Sequence, residues 1–356
     1  MILRDLLRVL GSSRRDGRNL THEEAYRAFS TIFAGTESEI QVGAFLIALR
    51  WKGVTVEELT GFARAARDQA TIPCVDMPGL VCVCPPHDGT EQTPPLEVAA
   101  GLIAAGAGAR VLIISDRCVP PRRGLTAANV LEHLGAGMTW DPHEAEDWVA
   151  KTRFGAISVA GMLPSILGLR RVRRDIGVRT PLATVEKLIA PPNAAVVLGA
   201  QTGPVLGTAV EVMAELGHEN GIAIQGMEGG VVPTLRKRTR GIELHGDSQS
   251  PITVDPGDFG MTCDRDPEMP MFGPPEEDQG PGDNPMLVAA AGDMTDALLK
   301  GEQGPARLAA LLAAAVMLKA GGRCMTLAEG VDSAIGSLDS GQALEILEQL
   351  RTLGKA

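Results

Sequence analysis

Polar and apolar positions divide the chain near residue 72. Before it, three helix starts carry the capping-box pattern: Thr21 with Glu24, Ser38 with Gln41, and Thr55 with Glu58. In each, a side-chain oxygen meets an orphan N–H of the first turn while the third residue reaches back. Gly35 and Gly53 punctuate the segments between them. In the middle helix Ile40, Ala44, Ile47 and Ala48 share one apolar side, and Val42, Phe45, Leu46 and Leu49 cover another. A helix apolar nearly all round is buried on several faces. The pattern therefore predicts a small helical domain over 1–72, with a return contribution near 164–190, whose spare apolar surface meets another domain or a second subunit.

Beyond Pro73 short apolar runs alternate with helical patterns. The runs are Leu80–Cys84, Val111–Ser115, Ala156–Ala160, Ala194–Gly199 and Ile222–Gln225, and the helices read at Leu96–Ala107, Thr126–Leu134, Pro142–Lys151 and Val205–Leu216. Continuous apolar strands separated by helices indicate a mostly parallel sheet flanked by helices. The expected fold is thus α/β, a small all-helical N-terminal domain joined to a larger α/β domain over 73–356. Ligands of such sheets sit beyond the carboxyl ends of the strands. Residues 262–285 are acidic and rich in Pro and Gly, and read as a long surface loop. Two or three helices are expected from Met286 onward, with Gln342–Leu350 the last.

Composition narrows the function classes. The length of 356 residues is ample for a buried core, and aromatics amount to only 3% with a single tyrosine, Tyr26. A net charge of −11 argues against an overall basic nucleic-acid binder but leaves local patches open. Arg4 and Arg8 interrupt the first apolar residues, so no signal peptide is read. The longest apolar run, around Leu308 to Leu318, ends at Lys319 and is too short for a bilayer. Six cysteines are scattered, and reduced thiols are the default. A soluble, cytoplasmic protein without membrane contact is expected. Cys82 and Cys84 alternate with valines on a strand and read as buried small side chains rather than zinc ligands.

Candidate chemistry gathers in the loops after the strands. Ile222 to Pro233 has the layout of a strand running into a ligand loop, yet it offers Val231 and Val232 where a divalent metal would be held. Magnesium needs hard oxygen ligands, and isopropyl groups supply none; no metal and no cofactor are expected. Arg117, Arg122 and Arg123 follow a predicted strand, Arg170, Arg171, Arg173 and Arg174 sit at a helix start or turn, and Arg236 to Arg240 is a third basic run. Each run alone is ordinary solvated surface. Three of them at one cleft of an acidic protein would focus field toward an anion, typically phosphate. Asp88 and Gly89, followed by Thr90, form either a strand-exit turn or a ligand loop. His87 precedes them and would be a phosphate donor or merely an exposed loop histidine. Glu186 and Lys187 form either a structural ion pair or a ligand contact.

Four stretches resemble the anthranilate phosphoribosyltransferases and the related pyrimidine nucleoside phosphorylases: 44–59 (AFLIALRWKGVTVEEL), 171–181 (RVRRDIGVRTP), 254–261 (VDPGDFGM) and 330–350 (GVDSAIGSLDSGQALEILEQL). The resemblance runs nearly the whole chain and implies a homodimer formed through the N-terminal helical domain. It also implies five ligand motifs. The glycine-rich pyrophosphate loop corresponds to Cys84-Pro-Pro-His-Asp-Gly89, where Pro85 and Pro86 lack an N–H. The Asn-x-Ser-Thr phosphate site falls near Thr93 to Leu96, and the Asn-Leu-Leu-Gly-Pro turn is replaced by Ala183 to Lys187. The Asp-Glu metal pair lands on Val231 and Val232, while the basic loop is kept through Arg117, Arg122 and Gly124. The pattern resembles a divergent branch that keeps the fold, lacks demonstrable phosphoribosyl transfer and includes a nucleic-acid-binding member.

Two readings from different classes follow. In the first, the cleft binds a phosphate-bearing ligand such as nucleic acid through Asp88, Gly89, Thr90, Arg117, Arg122, Arg123, Arg173, Arg174 and Lys187, without magnesium. In the second, the chain is an active phosphoribosyl or glycosyl transferase on an unidentified aromatic or heterocyclic acceptor, with anthranilate itself the least favoured.

Overall fold

The computed structural model describes residues 2–11, 17–201, 203–273 and 279–354. Four helices come first: α1 (Ile2–Gly11), α2 (His22–Phe33), α3 (Glu39–Lys52) and α4 (Val56–Gln69). The last three start on the capping boxes read from the sequence, with Thr21, Ser38 and Thr55 accepting from the backbone N–H of Glu24, Gln41 and Glu58. In α3 only one of the two apolar sides is covered. Val42, Phe45, Leu46 and Leu49 are buried, whereas Ile40 and Trp51 are 85% and 90% exposed.

The α/β part follows in the order β1 (Leu80–Cys84), α5 (Glu97–Gly106), β2 (Arg110–Ser115), α6 (Ala127–His133), α7 (Pro142–Thr152), β3 (Phe154–Ser158), α8 (Val159–Met162), α9 (Leu169–Ile176) and α10 (Leu182–Lys187). Then come β4 (Ala195–Gly199), α11 (Gly203–Glu215), β5 (Asn220–Ile224), β6 (Thr239–His245) and β7 (Ser248–Val254). Helices α12 (Pro285–Leu299), α13 (Pro305–Ala320), α14 (Leu327–Asp339) and α15 (Gln342–Leu353) complete it. Among the described residues the strands form one sheet ordered β3-β2-β1-β4-β5-β6-β7. The first five strands are parallel, and β6 and β7 add an antiparallel edge.

The sheet separates two apolar layers because successive side chains of a strand point to opposite faces. Val81 and Val83 join α5 and the C-terminal helices, whereas Leu80, Cys82 and Cys84 join α2–α4, α10 and α11. Cys82 and Cys84 are fully buried on one face, their sulfurs 3.7 Å apart. The helical domain is thus welded to one sheet face by the same alternation that makes the strands.

Two sequence expectations change, and one hairpin appears that was not among them. The run Ala156–Ala160 is strand only to Ser158, whose hydroxyl accepts from the Gly161 N–H and starts α8. Residues 239–254 form a hairpin, turning at Gly246 with φ +56°. Four helices rather than two or three follow residue 284 among the described residues, separated at Gly301–Gly304, Gly321–Gly322 and Ser340–Gly341. The described part of 262–285 has no strand, but it is anchored. Met269 N–H donates to the Gln92 carbonyl at 2.7 Å, and the Asp266 carboxylate accepts from Leu235 N–H and the Thr234 hydroxyl.

Candidate functional site

The carboxyl ends of β1, β2, β4 and β5 bring their loops together beside the helical domain. After β1 the chain turns through Pro85 to Gly89. Gly89 has φ +76°, and a Cβ there would lie 2.5 Å from the Gly124 carbonyl carbon. Two backbones cross at this point, so the β1 and β2 exits are locked by Gly89 and Gly124. Thr90 continues the lock by exchanging backbone hydrogen bonds with Leu125 at 2.8 and 2.9 Å.

Asp88 is buried, and its carboxylate accepts two hydrogen bonds from Arg179, at 2.5 Å from Nη2 and 2.6 Å from Nε. Nearby, the Lys187 ammonium at the end of α10 donates to the Gly199 carbonyl at 2.9 Å. Burial, with help from the Arg179 charge, pushes the Lys187 pKa down to about 8. With its amide oxygen turned inward, Gln201 accepts from Arg179 Nη1 at 2.8 Å and Arg122 Nη2 at 3.2 Å. Asp88, Arg179, Lys187 and Gln201 border a cavity of about 470 Å³ between the domains, whose helical wall includes Leu49, Val54 and Leu59. His87 also borders it. Both ring nitrogens are buried without a hydrogen-bond partner among the described residues, and burial holds the imidazole pKa down at about 4. His87 is therefore neutral near neutral pH.

The third basic run lies along a second cavity of about 1010 Å³, lined by Arg236, Lys237, Arg238 and Arg240 with Gln225, Glu228 and Asp266. Gln201 and Gly229 line both cavities, so the groove and the interdomain pocket adjoin. Arg238 is paired to Asp255 at 2.6 Å.

The remaining candidate cations do not reach this space. Arg117 pairs with Glu132 at the surface, and Arg123 forms a two-point pair with Asp283 at 2.6 and 2.7 Å. Arg173 is buried against Glu186 and donates to the Pro120 carbonyl at 2.9 Å. Arg174 touches Asp175 at 3.2 Å on an exposed part of α9, and Arg170 pairs with Asp116 at 2.8 Å. The fold therefore brings Asp88, Gly89, Arg122 and Lys187 together, adds Arg179 and Gln201, and leaves Arg117, Arg123, Arg173 and Arg174 elsewhere. Thr90 stays in the backbone lock. Arg179 lies within a stretch already singled out, but nothing local marks its partner 91 residues away. Glu186 turns to Arg173, not to Lys187.

The β5 exit completes the site. Val231 and Val232 are 1% and 5% exposed and belong to the apolar core. Glu228, at φ +50°, instead sends its carboxylate across to the loop before α5. It accepts from the backbone N–H groups of Glu91, Gln92 and Thr93 at 2.8 to 2.9 Å and from the Thr93 hydroxyl at 2.9 Å. Arg122 stands off at 3.6 Å from Glu91 and 3.8 Å from Glu228. Among the described residues no group of three or more His, Cys, Asp or Glu is placed to hold a metal ion. Two core valines and a carboxylate already saturated by N–H donors do not fit magnesium at this loop.

A helical bundle packed on one face of an α/β sheet, with its ligand loops at their junction, has close counterparts. Residues 12–70 match the glycosyl transferase family helical bundle domain, and residues 91–344 match the glycosyl transferase family a/b domain. The chain belongs to glycosyl transferase family 3. It is 32% identical to an anthranilate phosphoribosyltransferase of Geobacter sulfurreducens, over 94% of this chain and 95% of the relative. It is 30% identical to the one of Symbiobacterium thermophilum, over 94% of each. The crystal structure of anthranilate phosphoribosyltransferase from Thermus thermophilus superposes with a TM-score of 0.81 at 26% identity, covering 100% of both chains. The Saccharomyces cerevisiae enzyme in complex with PRPP and Mg shares the fold, with a TM-score of 0.78 at 16% identity, covering 99% of this chain and 98% of that one. No helix of the described residues is long and apolar enough to cross a membrane.

Proposed function

We propose that this family member uses its interdomain cleft to bind a phosphate-bearing ligand, with a nucleic-acid strand the favoured class, through guanidinium and ammonium groups in place of a metal clamp. One observation carries the reading. Arg179 and Lys187 line a pocket whose Gln201 also accepts from Arg122, and this pocket adjoins the groove lined by Arg236, Lys237 and Arg240, while the β5 loop turns Val231 and Val232 into the core. Cations along a groove neutralise successive phosphates, and counterion release then makes affinity fall steeply with salt. Scarce aromatics argue for backbone contact over base stacking. The test is fluorescence anisotropy with labelled single-stranded and duplex oligonucleotides in EDTA across a salt series. Binding that weakens linearly in log salt supports the reading, and no binding at low salt refutes it.

A second reading, phosphoribosyl transfer to an aromatic or heterocyclic acceptor, is favoured by the relatives at about 30% identity and by the apolar helical wall of the pocket. Calorimetry with phosphoribosyl pyrophosphate, with and without magnesium, decides it; absence of heat in both removes it. We further propose a homodimer in the cytoplasm, formed on the uncovered side of α3, where Ile40, Ile47 and Trp51 are exposed. Sedimentation of Trp51→Glu against the native chain tests the interface.

A further inference from the structure

The contact between Glu228 and the loop before α5 is more than a loop tie. Three consecutive backbone N–H groups that converge on one point form a concave anion cradle, whatever side chains surround them. Here the N–H groups of Glu91, Gln92 and Thr93, with the Thr93 hydroxyl, converge on the two oxygens of one carboxylate at 2.8 to 2.9 Å. Those four donors would equally serve the oxygens of a phosphate. The carboxylate brings one negative charge and leaves Arg122 at 3.5 Å from the Gly89 carbonyl and 3.8 Å from Glu228, too far for a strong charge-assisted bond. A phosphate in the same cradle is larger and more highly charged, and an oxygen directed toward Arg122 would shorten that gap.

The plug is also built to move. Glu228 holds a left-handed backbone conformation that a non-glycine residue rarely adopts. Gly226, Gly229 and Gly230 flank it, and a Cβ on Gly229 would meet Gln201 at 2.5 Å. Displacement of the loop would therefore be felt by the residue that bridges Arg122 and Arg179. Glu228 and Thr93 both line the 1010 Å³ groove, so an anion entering past Arg236 and Arg240 reaches the cradle directly.

We propose that Glu228 is a tethered stand-in for phosphate, closing an anion subsite that a phosphate or diphosphate group of the ligand opens by displacing it. This rests on the reading of the cleft as a phosphate site and adds its regulation: the empty protein is self-inhibited at this subsite.

The test is calorimetric titration of the full chain with inorganic pyrophosphate in EDTA, for the native protein and Glu228→Gln. The variant keeps the loop's shape and removes the charge. Affinity at least tenfold tighter in Glu228→Gln, reduced again by adding Thr93→Val, supports the proposal. Equal or weaker affinity in Glu228→Gln, with native binding intact and weakened about tenfold by Arg122→Ala, overturns the plug and leaves the cleft reading standing. Absence of binding in both proteins overturns both. Should Glu228→Gln fail to fold, the backbone amide resonances of Glu91, Gln92 and Thr93 in the native chain give the answer. Their displacement at saturating pyrophosphate supports the exchange, and unmoved resonances refute it.

Discussion

The arginines around α9 and the β2 exit, and the cations of the interdomain cleft, differ in the acid that faces each of them. Around α9, Arg173 meets Glu186 in a fully enclosed pair and Arg170 meets Asp116, while at the β2 exit Arg123 meets Asp283 and Arg117 meets Glu132. Their charge is spent within the fold. In the cleft, Lys187 has a backbone carbonyl, and Arg122 has acids only at 3.6 to 3.8 Å. Arg179 lies between these cases, satisfied by Asp88 yet still reaching Gln201 with its third nitrogen. Arginine density in a sequence therefore measures potential badly; the carboxylates that tertiary structure supplies decide what remains for a ligand.

The largest effect expected from this contrast is on stability. Arg173→Ala strands Glu186 in the interior and should cost about 3–5 kcal/mol in urea denaturation, whereas Arg173→Met combined with Glu186→Leu should restore most of it. A loss of anion affinity in Arg173→Ala without a loss of stability would break the comparison. Glu97 sharpens it from the opposite side, as an acid buried at the start of α5 whose burial pushes its pKa up to about 7. Its folded pKa lies above the unfolded value of 4.5. The native chain is therefore favoured below about pH 4.5, and this contribution is lost as pH rises through 7, by roughly 3 kcal/mol at most. Denaturation of Glu97→Gln across pH 4.5 to 7.5 should differ from the native curve by that slope.

Ligand affinity should separate the two groups of cations more modestly. Arg122→Ala is expected to weaken pyrophosphate binding about tenfold, and Arg117→Ala to leave it within about twofold, by calorimetry. The smallest effect belongs to Lys187. Its ammonium is charged below its pKa of about 8 and neutral above it. Affinity for sulfate, which does not titrate in this range, should fall a few-fold between pH 7 and 9. Lys187→Met should abolish that dependence while the arginine contribution persists.

The parts of this division that the sequence discloses follow from range. Buried parallel strands print as continuous apolar runs, so β1, β2, β4 and β5 are legible to within two residues. The β6–β7 hairpin alternates exposed Arg240 and Gln249 with buried Leu244 and Ile252, and its Gly246-Asp247 turn was its clearest local mark. The cleft residues Asp88, Arg122 and Lys187 are legible because loops after parallel strands gather at one end. Which arginine pairs with which acid is not legible, since Arg179 and Asp88, or Arg123 and Asp283, are far apart in the chain. Val231 and Val232 show where an acid is missing, but only the folded loop shows Glu228 crossing to the cradle.

Metal dependence tests the central claim most directly. Oligonucleotide and pyrophosphate affinities measured at fixed ionic strength, in EDTA and then in millimolar magnesium, should agree within about twofold if guanidinium and ammonium groups hold the phosphates. Binding that appears only with magnesium, or tightens more than tenfold with it, would contradict the account.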